Sequence, residues 1–268
     1  MSDTSLSPSG IVTLLTDFGD RDGYVSAMKG VMLGIHPQAV FVDISHALPP
    51  QAIAAAAFLL AQHYRFFPAG TVHLAVVDPG VGTERSPIAC IFDGHFFVAP
   101  DNGILDFCAE REHTAVELNR PQYWRSPQLS ATFHGRDLFA PVAAHLGAGQ
   151  PIERLGQRTR LARHRARPPR NFAGSQLSGR IEYVDRFGNL ISNLSHEDLR
   201  NAGIDQTHCR IRIAGREIAG VSYSYGAVAA GELLALIDSF DRLEIGVNRG
   251  DAAALLQCGI GEPLRVTE

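Results

Sequence analysis

Apolar and polar positions alternate in two different ways along this chain, and the difference divides it into two halves. In the first half, four short apolar runs rich in β-branched residues end at Asp, Pro or Gly, which is typical of buried strands. The predicted strands are Ile11–Thr16, Val40–Ile44, Val72–Val77 and Phe96–Ala99. Apolar residues at helical spacing predict helices over Tyr24–Ile35, Ile53–Phe66 and Asp137–Leu146. This alternation favours an α/β domain with a mostly parallel sheet and flanking helices.

In the second half, short strand-like runs are separated by Gly and by Asn or Asp turns. The runs are Arg180–Val184, Leu190–Leu194, Ile211–Ile213, Glu217–Val221, Leu233–Ile237 and Leu243–Val247. Short strands at this spacing predict an all-β barrel or sandwich.

A basic segment, Gln157–Asn171, lies between the two patterns and contains six arginines and two prolines. The prolines and the position favour an extended linker with solvated charges over a phosphate-binding patch. We therefore expect an N-terminal α/β domain over residues 1–160, a linker over 161–174 and a C-terminal β-barrel domain over 175–268.

The composition argues against several classes of protein. The chain has 24 Lys and Arg against 28 Asp and Glu, a net charge of −4, and 45% hydrophobic residues. This content supports a buried core, and the near-neutral charge argues against nucleic acid as the main partner. The longest apolar run, Ala52–Ala61, is far short of the ~20 residues of a membrane span. With no visible signal peptide, no CxxC pair and no metal-ligand spacing, we expect a soluble cytoplasmic protein without a metal or disulfides.

Two predicted strands end next to aspartates, Asp17 and Asp78. Ligands of parallel sheets bind beyond the carboxyl ends of the strands, where a carboxylate can hold a ribose diol or orient a nucleophile. The alternative is that both aspartates cap loops before Gly or Pro. Arg85 can keep the Asp78 carboxylate ionised and oriented, or form a surface ion pair. His134 is a candidate acid, base or water-orienting group, and Asp137 a candidate helix cap.

Two further candidate sites lie in the second half. The residues from Asp185 to Asn189 have the composition of a hairpin turn. The amide of Asn189 can also donate and accept hydrogen bonds at an adenine edge or a carboxylate. The segment Ser222–Tyr225 offers an aromatic face for a base. The chain lacks GxGxxG, GxSxG, HExxH and Walker A motifs, so the sequence does not support the sites that they form.

Seven segments, in order along the chain, resemble the S-adenosyl-L-methionine hydroxide adenosyltransferases, a family of S-adenosyl-L-methionine (SAM) hydrolases related to fluorinases and chlorinases. The segments are LLTDFGDRDGYVSAMKGVML, VFVDISHALPPQ, RFFPAGTVHLAVVDPGVGTER, FVAPDNGIL, TFHGRD, DRFGNLISN and LALIDSFDRLEIGVNRGDAA. The resemblance implies an α/β domain followed by a β-barrel. It also implies a homotrimer that holds substrate between the N-terminal domain of one subunit and the C-terminal domain of the next.

The resemblance also implies site residues. The catalytic set is Asp78, Arg85 and His134, with Asp17 on the ribose hydroxyls. The halogenase branch has an aromatic residue at the position of Asp78 and a tryptophan at that of Gln51, so this chain matches the water-using branch. The other implied substrate contacts, besides Asp78 itself, are Asp185, Phe187, Asn189, Tyr225, Ser239, Glu244 and Val247.

The expected reaction is therefore hydrolysis of SAM to adenosine and L-methionine, without a cofactor or a metal. The resemblance implies a preference for the R-sulfonium epimer. The alternatives are a SAM-dependent halogenase that forms 5′-chloroadenosine and a SAM or adenosine sensor without turnover. A further alternative is an RNA-binding protein, with salt-sensitive affinity carried by Arg158–Arg170.

Overall fold

The computed structural model describes residues 6–164, 171–173 and 176–268, and the chain divides into two units, Met1–Arg165 and Ala166–Glu268. Part of the predicted linker, residues 165–170 and 174, lies outside the described residues, as does the end of the basic segment Arg158–Arg170. Each unit has its own hydrophobic core.

The first unit is built on a seven-stranded mixed sheet whose strand order is β2-β1-β3-β5-β4-β6-β7. Strands β2, β1, β3 and β5 are parallel, and the remaining pairs are antiparallel. The strands are β1 Ile11–Thr16, β2 Val40–Ser45, β3 Val72–Val76, β4 Pro87–Phe92, β5 His95–Pro100, β6 Thr114–Glu117 and β7 Gln157–Thr159. The predicted α/β architecture is confirmed.

The described part of this unit contains four α-helices: α1 Tyr24–Ile35, α2 Ile53–His63, α3 Asp106–Ala109 and α4 Ala140–Gly147. The predicted helix Ile53–Phe66 ends as an α-helix at His63 and continues as a 3₁₀ turn over Tyr64–Phe66. Helix α1 buries Met28 and Met32 in a core that also contains Val12 of β1. This packing follows from the helical spacing of its apolar residues.

The second unit is an antiparallel sheet of eight strands, in the order β12-β11-β15-β9-β10-β14-β13 with β8 beside β9. The end strands β12 and β13 contact each other, so the sheet nearly closes into the predicted barrel. The strands are β8 Asn171–Ala173, β9 Gln176–Val184, β10 Leu190–Ser195, β11 Arg210–Ile213, β12 Arg216–Ala219, β13 Leu233–Ile237, β14 Arg242–Val247 and β15 Pro263–Thr267. Where the structure describes this unit, it also contains two short α-helices, α5 His196–Asn201 and α6 Ala252–Leu256.

Among the described residues, no helix has the length and apolar character that a membrane crossing requires.

Candidate active site

A hydrogen-bonded group of Asp78, Arg85 and His134 lies beyond the carboxyl end of β3. The Nε atom of Arg85 lies 3.0 Å and 2.9 Å from the two carboxylate oxygens of Asp78, and Nη2 of Arg85 also bonds to Oδ2. The same Nη2 lies 2.8 Å from Nδ1 of His134. A planar guanidinium that grips both oxygens of a carboxylate fixes its direction. Arg85 thus connects the Asp78 and His134 side chains through hydrogen bonds.

This group is largely shielded from water. The Asp78 side chain is 4% exposed and that of Arg85 is 10% exposed. The guanidinium of Arg85 lies over the ring of Phe139, with its carbon 5.1 Å from the ring centroid. Burial of both charges is tolerated because each is paired and hydrogen-bonded.

A close backbone contact brings the His134 segment to the Asp78 loop. Gly82 has a φ of +77°, and a Cβ atom there would lie 2.5 Å from the carbonyl oxygen of Ala131. A larger residue would therefore separate the two segments and strain the turn. Ala131 precedes His134 by three residues, so this glycine allows the long-range contact between Arg85 and His134.

The surroundings of His134 specify its protonation. Burial, and then the positive charge of Arg85, lower the pKa of His134 below its usual value, although Asp78 and Asp137 act in the opposite direction. Arginine is always protonated and can only donate, so Nδ1 of His134 accepts the bond from Arg85. A neutral imidazole with an accepting Nδ1 carries its proton on Nε2. His134 is therefore a neutral Nε2–H donor.

The predicted helix Asp137–Leu146 begins earlier, with a π-helical turn over Gly135–Phe139. Asp137 lies inside this turn, so its interpretation as a helix cap is wrong. Its carboxylate pairs with Arg136, whose Nε is 2.6 Å away, and accepts the N–H of Ser130 at 3.1 Å. The hydrogen bond from Arg136 lowers the pKa of Asp137 despite its burial. Asp137 thereby anchors the turn that follows His134.

Asp17 lies at the same edge of the sheet as Asp78. Strands β1 and β3 are parallel neighbours, with Thr16 opposite Val76. Oδ2 of Asp17 accepts the backbone N–H of Gln51 at 2.7 Å. The structure thus places the two aspartates on adjacent strand ends, as the sequence predicts.

A second polar cluster lies in the other unit and contains Asp185, Asn189, Tyr225 and Glu244. Asn189 donates from Nδ2 to Oδ2 of Asp185 at 2.9 Å and to the Tyr225 oxygen at 3.2 Å. The Tyr225 hydroxyl donates to Oε1 of Glu244 at 2.5 Å. The hairpin between β9 and β10 places Asp185 and Asn189, and its Gly188 adopts a φ of +82°. The predicted hairpin turn is confirmed.

Burial governs the ionisation of this cluster. It raises the pKa of Glu244 to about 7, against the hydrogen bond from Tyr225, and the charges of Asp238 and Asp185 add to the rise. Burial and the bond to Glu244 also raise the pKa of Tyr225. Besides Asp185, the cluster therefore contains a neutral phenol, an amide and the Glu244 carboxyl group, whose pKa is about 7.

The model of the SAM hydroxide adenosyltransferase N-terminal domain matches residues 12–156, and the model of the C-terminal domain matches residues 179–265. The chain belongs to the SAM hydroxide adenosyltransferase family. The (R)-S-adenosyl-L-methionine hydrolase of Salinispora tropica is 37% identical over 98% of this chain and 99% of its own length. The protein of the same name from Thermus thermophilus is 36% identical over 95% of this chain and 98% of its own length.

The chain is also similar to a more distant fluorinase and to a protein of solved structure. A fluorinase of Actinoplanes is 29% identical over 76% of this chain and 78% of its own length. Among solved structures, a conserved protein from Thermotoga maritima superposes with a TM-score of 0.90 at 36% identity, covering 96% of this chain and all of that one.

The remaining residues that the family resemblance implies are dispersed in the second unit. Phe187 lies in the β9–β10 hairpin and is 74% exposed. Ser239 lies in the turn before β14, whereas Val247 ends that strand. The structure thus joins some candidate residues into one hydrogen-bonded group in each unit, whereas Ser239 lies at the opposite end of β14 from Val247.

Asn102 was not among the residues predicted from the sequence, yet it supports the Asp78 loop. Its side-chain amide donates to the carbonyl oxygen of Val77 at 2.9 Å. The turn-forming residues Asp101-Asn102-Gly103, which begin two positions after the predicted strand Phe96–Ala99, are a signal for this role. Among the described residues, no group of three or more His, Cys, Asp and Glu side chains is arranged as a metal site.

Proposed function

We propose that this chain hydrolyses SAM to adenosine and L-methionine by attack of water on C5′ of the ribose. The observation that carries the proposal is the Asp78–Arg85–His134 group, a buried carboxylate whose direction is set by a guanidinium beside a neutral imidazole. The names of the similar hydrolases support the same substrate and a preference for its R epimer.

The proposed reaction needs little from the protein beyond alignment. The water oxygen bonds to C5′ as the C5′–S bond breaks, and both electrons of that bond go to sulfur. The positively charged sulfonium becomes the neutral thioether of methionine, so the leaving group takes no proton. One proton of the water must leave, and a carboxylate is a suitable acceptor. Alignment of the water with the C–S bond is the larger demand, since a displacement of ~1 Å can cost about 10²-fold.

In the proposed mechanism, Asp78 takes the proton and His134 orients the water. His134 cannot readily act as the base, because Nδ1 accepts the bond from Arg85 and Nε2 already carries a proton. Its Nε2–H is instead a donor to the water oxygen. Arg85 holds Asp78 in one orientation, and acid–base assistance of this kind contributes about 10²–10⁴-fold.

The substrate-binding roles complete the proposal. We assign Asp17 to the ribose hydroxyls and the cluster of Asp185, Asn189, Tyr225 and Glu244 to the adenine and amino-acid parts of SAM. Phe187, Ser239 and Val247 are assigned to the same substrate. The proposal includes a homotrimer in which residues from both units contact the substrate, and a cytoplasmic location.

The decisive experiment incubates the EDTA-treated protein with each sulfonium epimer of SAM in ¹⁸O-labelled water. Chromatography with mass detection should show equal amounts of methionine and adenosine, with the label in the 5′-hydroxyl. Label elsewhere, or no label, would refute attack at C5′. 5′-Chloroadenosine formed in chloride would identify a halogenase, and binding of SAM without turnover would identify a sensor. Light scattering measures the oligomeric state.

A further inference from the structure

A chain of polar side chains runs from helix α1 to the end of β1. Nζ of Lys29 lies 2.6 Å from Oδ2 of Asp43, and Oδ1 of Asp43 lies 3.0 Å from Nε2 of His46. Nδ1 of His46 lies 2.8 Å from Oγ1 of Thr16. None of these four residues belongs to the proposed reaction or to the assigned substrate contacts. The series of side chains nevertheless ends at Thr16, the residue that precedes Asp17.

The loop that begins at His46 holds the Asp17 segment at two further points. The backbone carbonyl of His46 accepts the N–H of Gly19 at 2.8 Å. The N–H of Gln51, in the same loop, donates to the Asp17 carboxylate at 2.7 Å. The carboxylate and the backbone after it are therefore both attached to residues 46–51.

The Thr16 oxygen connects this series of side chains to the backbone that follows β1. Thr16 is fully buried, and its oxygen accepts the N–H of Phe18 at 3.2 Å. Oγ1 of Thr16 also bonds to Nδ1 of His46, whose Nε2 faces the Asp43 carboxylate. Burial opposes ionisation of Asp43, but hydrogen bonds from Lys29 and His46 outweigh it and lower the pKa of its carboxyl group. The series thus extends from the Asp43 carboxylate to the backbone N–H of Phe18.

We propose that Thr16 and His46 are positioning residues that hold the Asp17 carboxylate in the direction required by the two ribose hydroxyls. The inference rests on the proposed function, which assigns Asp17 to the ribose. Asp17 lies beyond the end of β1, so hydrogen bonds to the neighbouring loop determine its direction. Removal of the Thr16 hydroxyl leaves the N–H of Phe18 and Nδ1 of His46 without their partner and releases the segment that carries Asp17.

The test uses Thr16→Val, which removes the hydroxyl with little change of shape, and Thr16→Ser, which retains it. Thr13→Val is a matched control, because Thr13 Oγ1 bonds to Nδ1 of His73 at the same 2.8 Å on the same strand. Thr16→Val should raise the KM for SAM about tenfold, equivalent to about 1.4 kcal/mol, and leave kcat within about twofold. Thr16→Ser should restore the KM. Thr13→Val should lower thermal stability without raising the KM.

A ligand comparison reports directly on the ribose contact. Calorimetry should show that the native protein prefers adenosine over 2′,3′-dideoxyadenosine, and that Thr16→Val loses most of this preference. Full retention of the preference and of the native KM in Thr16→Val would overturn the inference. An unchanged preference in Asp17→Asn would instead overturn the assignment of Asp17 to the ribose, and the inference with it.

A measurement without ligand distinguishes failure of the positioning inference from failure of the proposed function. Hydrogen–deuterium exchange of the peptide that covers residues 17–23 should be faster in Thr16→Val than in Thr16→Ser or Thr13→Val. If the native protein neither binds nor hydrolyses SAM, faster exchange still supports the positioning of Asp17 while the proposed function fails. Equal exchange in the three variants overturns the positioning whatever the activity.

Discussion

Replacement of Asp78 by asparagine tests the proposed mechanism most directly. The substitution preserves the shape of the side chain but replaces one oxygen with an NH₂ group, which cannot accept a proton. Arg85 donates to both oxygens of Asp78, so the variant retains one of these acceptors and turns its amide hydrogens toward the guanidinium. The substitution removes the proton acceptor without opening a cavity.

The expected loss of activity follows from the role assigned to Asp78. A positioned base contributes about 10²–10⁴-fold, equivalent to about 2.7–5.5 kcal/mol at 1.36 kcal/mol per factor of ten. We expect kcat to fall by that factor, while the dissociation constant of adenosine changes by less than about threefold. Loss of the negative charge should also lower the pKa of His134 further, because Asp78 acts to raise it.

The same variant should be less stable. Breaking a buried ion pair costs about 3–5 kcal/mol, and here the two side chains are 4% and 10% exposed. The cost should lie near the lower limit, because the introduced amide can keep one hydrogen bond and Nδ1 of His134 still accepts from Arg85. Denaturant unfolding measures this loss separately from kcat.

The assay is adenosine formation in a single turnover, followed by chromatography, with circular dichroism to verify folding. Asp93→Asn is the matched control, since its carboxylate accepts a bond from Tyr64 at 2.9 Å and is 45% exposed. The control should keep full activity. A folded Asp78→Asn protein whose kcat lies within tenfold of the native value would refute the assignment of Asp78 as the proton acceptor.

Three further predictions concern stability and ionisation. Burial, with the neighbouring His95, lowers the pKa of His73 to about 3, against about 6.5 when unfolded. The free energy of unfolding should therefore fall by about 1.4 kcal/mol per pH unit as the pH drops from about 6.5 to about 3. Urea titrations at several pH values should show that the free energy of unfolding depends less steeply on pH in His73→Asn. Tyr225→Phe removes a donor to Glu244 and should raise the pKa of Glu244 above about 7, read by ¹³C NMR; an unchanged pKa would contradict the contact. Gly188→Ala would place a Cβ 2.1 Å from the carboxylate of Asp251 at a φ of +82°. The substitution should lower the free energy of unfolding by about 1–3 kcal/mol, and adding Asp251→Ala should restore part of this loss.

The strands and helices that the sequence predicted well are those with a complete apolar pattern. Strand β1 and helix α1 have the predicted bounds, Ile11–Thr16 and Tyr24–Ile35, because each buries a regular set of side chains in one core. Strand β7 was not predicted, since Gln157–Thr159 is short and polar and completes the edge of the sheet. Strand β15 was also missed; it begins with proline and pairs with β9 and β11, which are distant in sequence.

The sequence by itself determined the α/β and all-β halves, the two aspartates at neighbouring strand ends and, through its resemblance to a family, the residue types of the candidate site. The tertiary structure decided which of these residues touch. Arg85 meets His134 across 49 positions of the chain, and this contact specifies the tautomer of the imidazole. Apolar periodicity is a local property that a sequence displays directly. Hydrogen bonds between distant segments depend on the packing of the whole unit, including the close approach of Gly82 to Ala131.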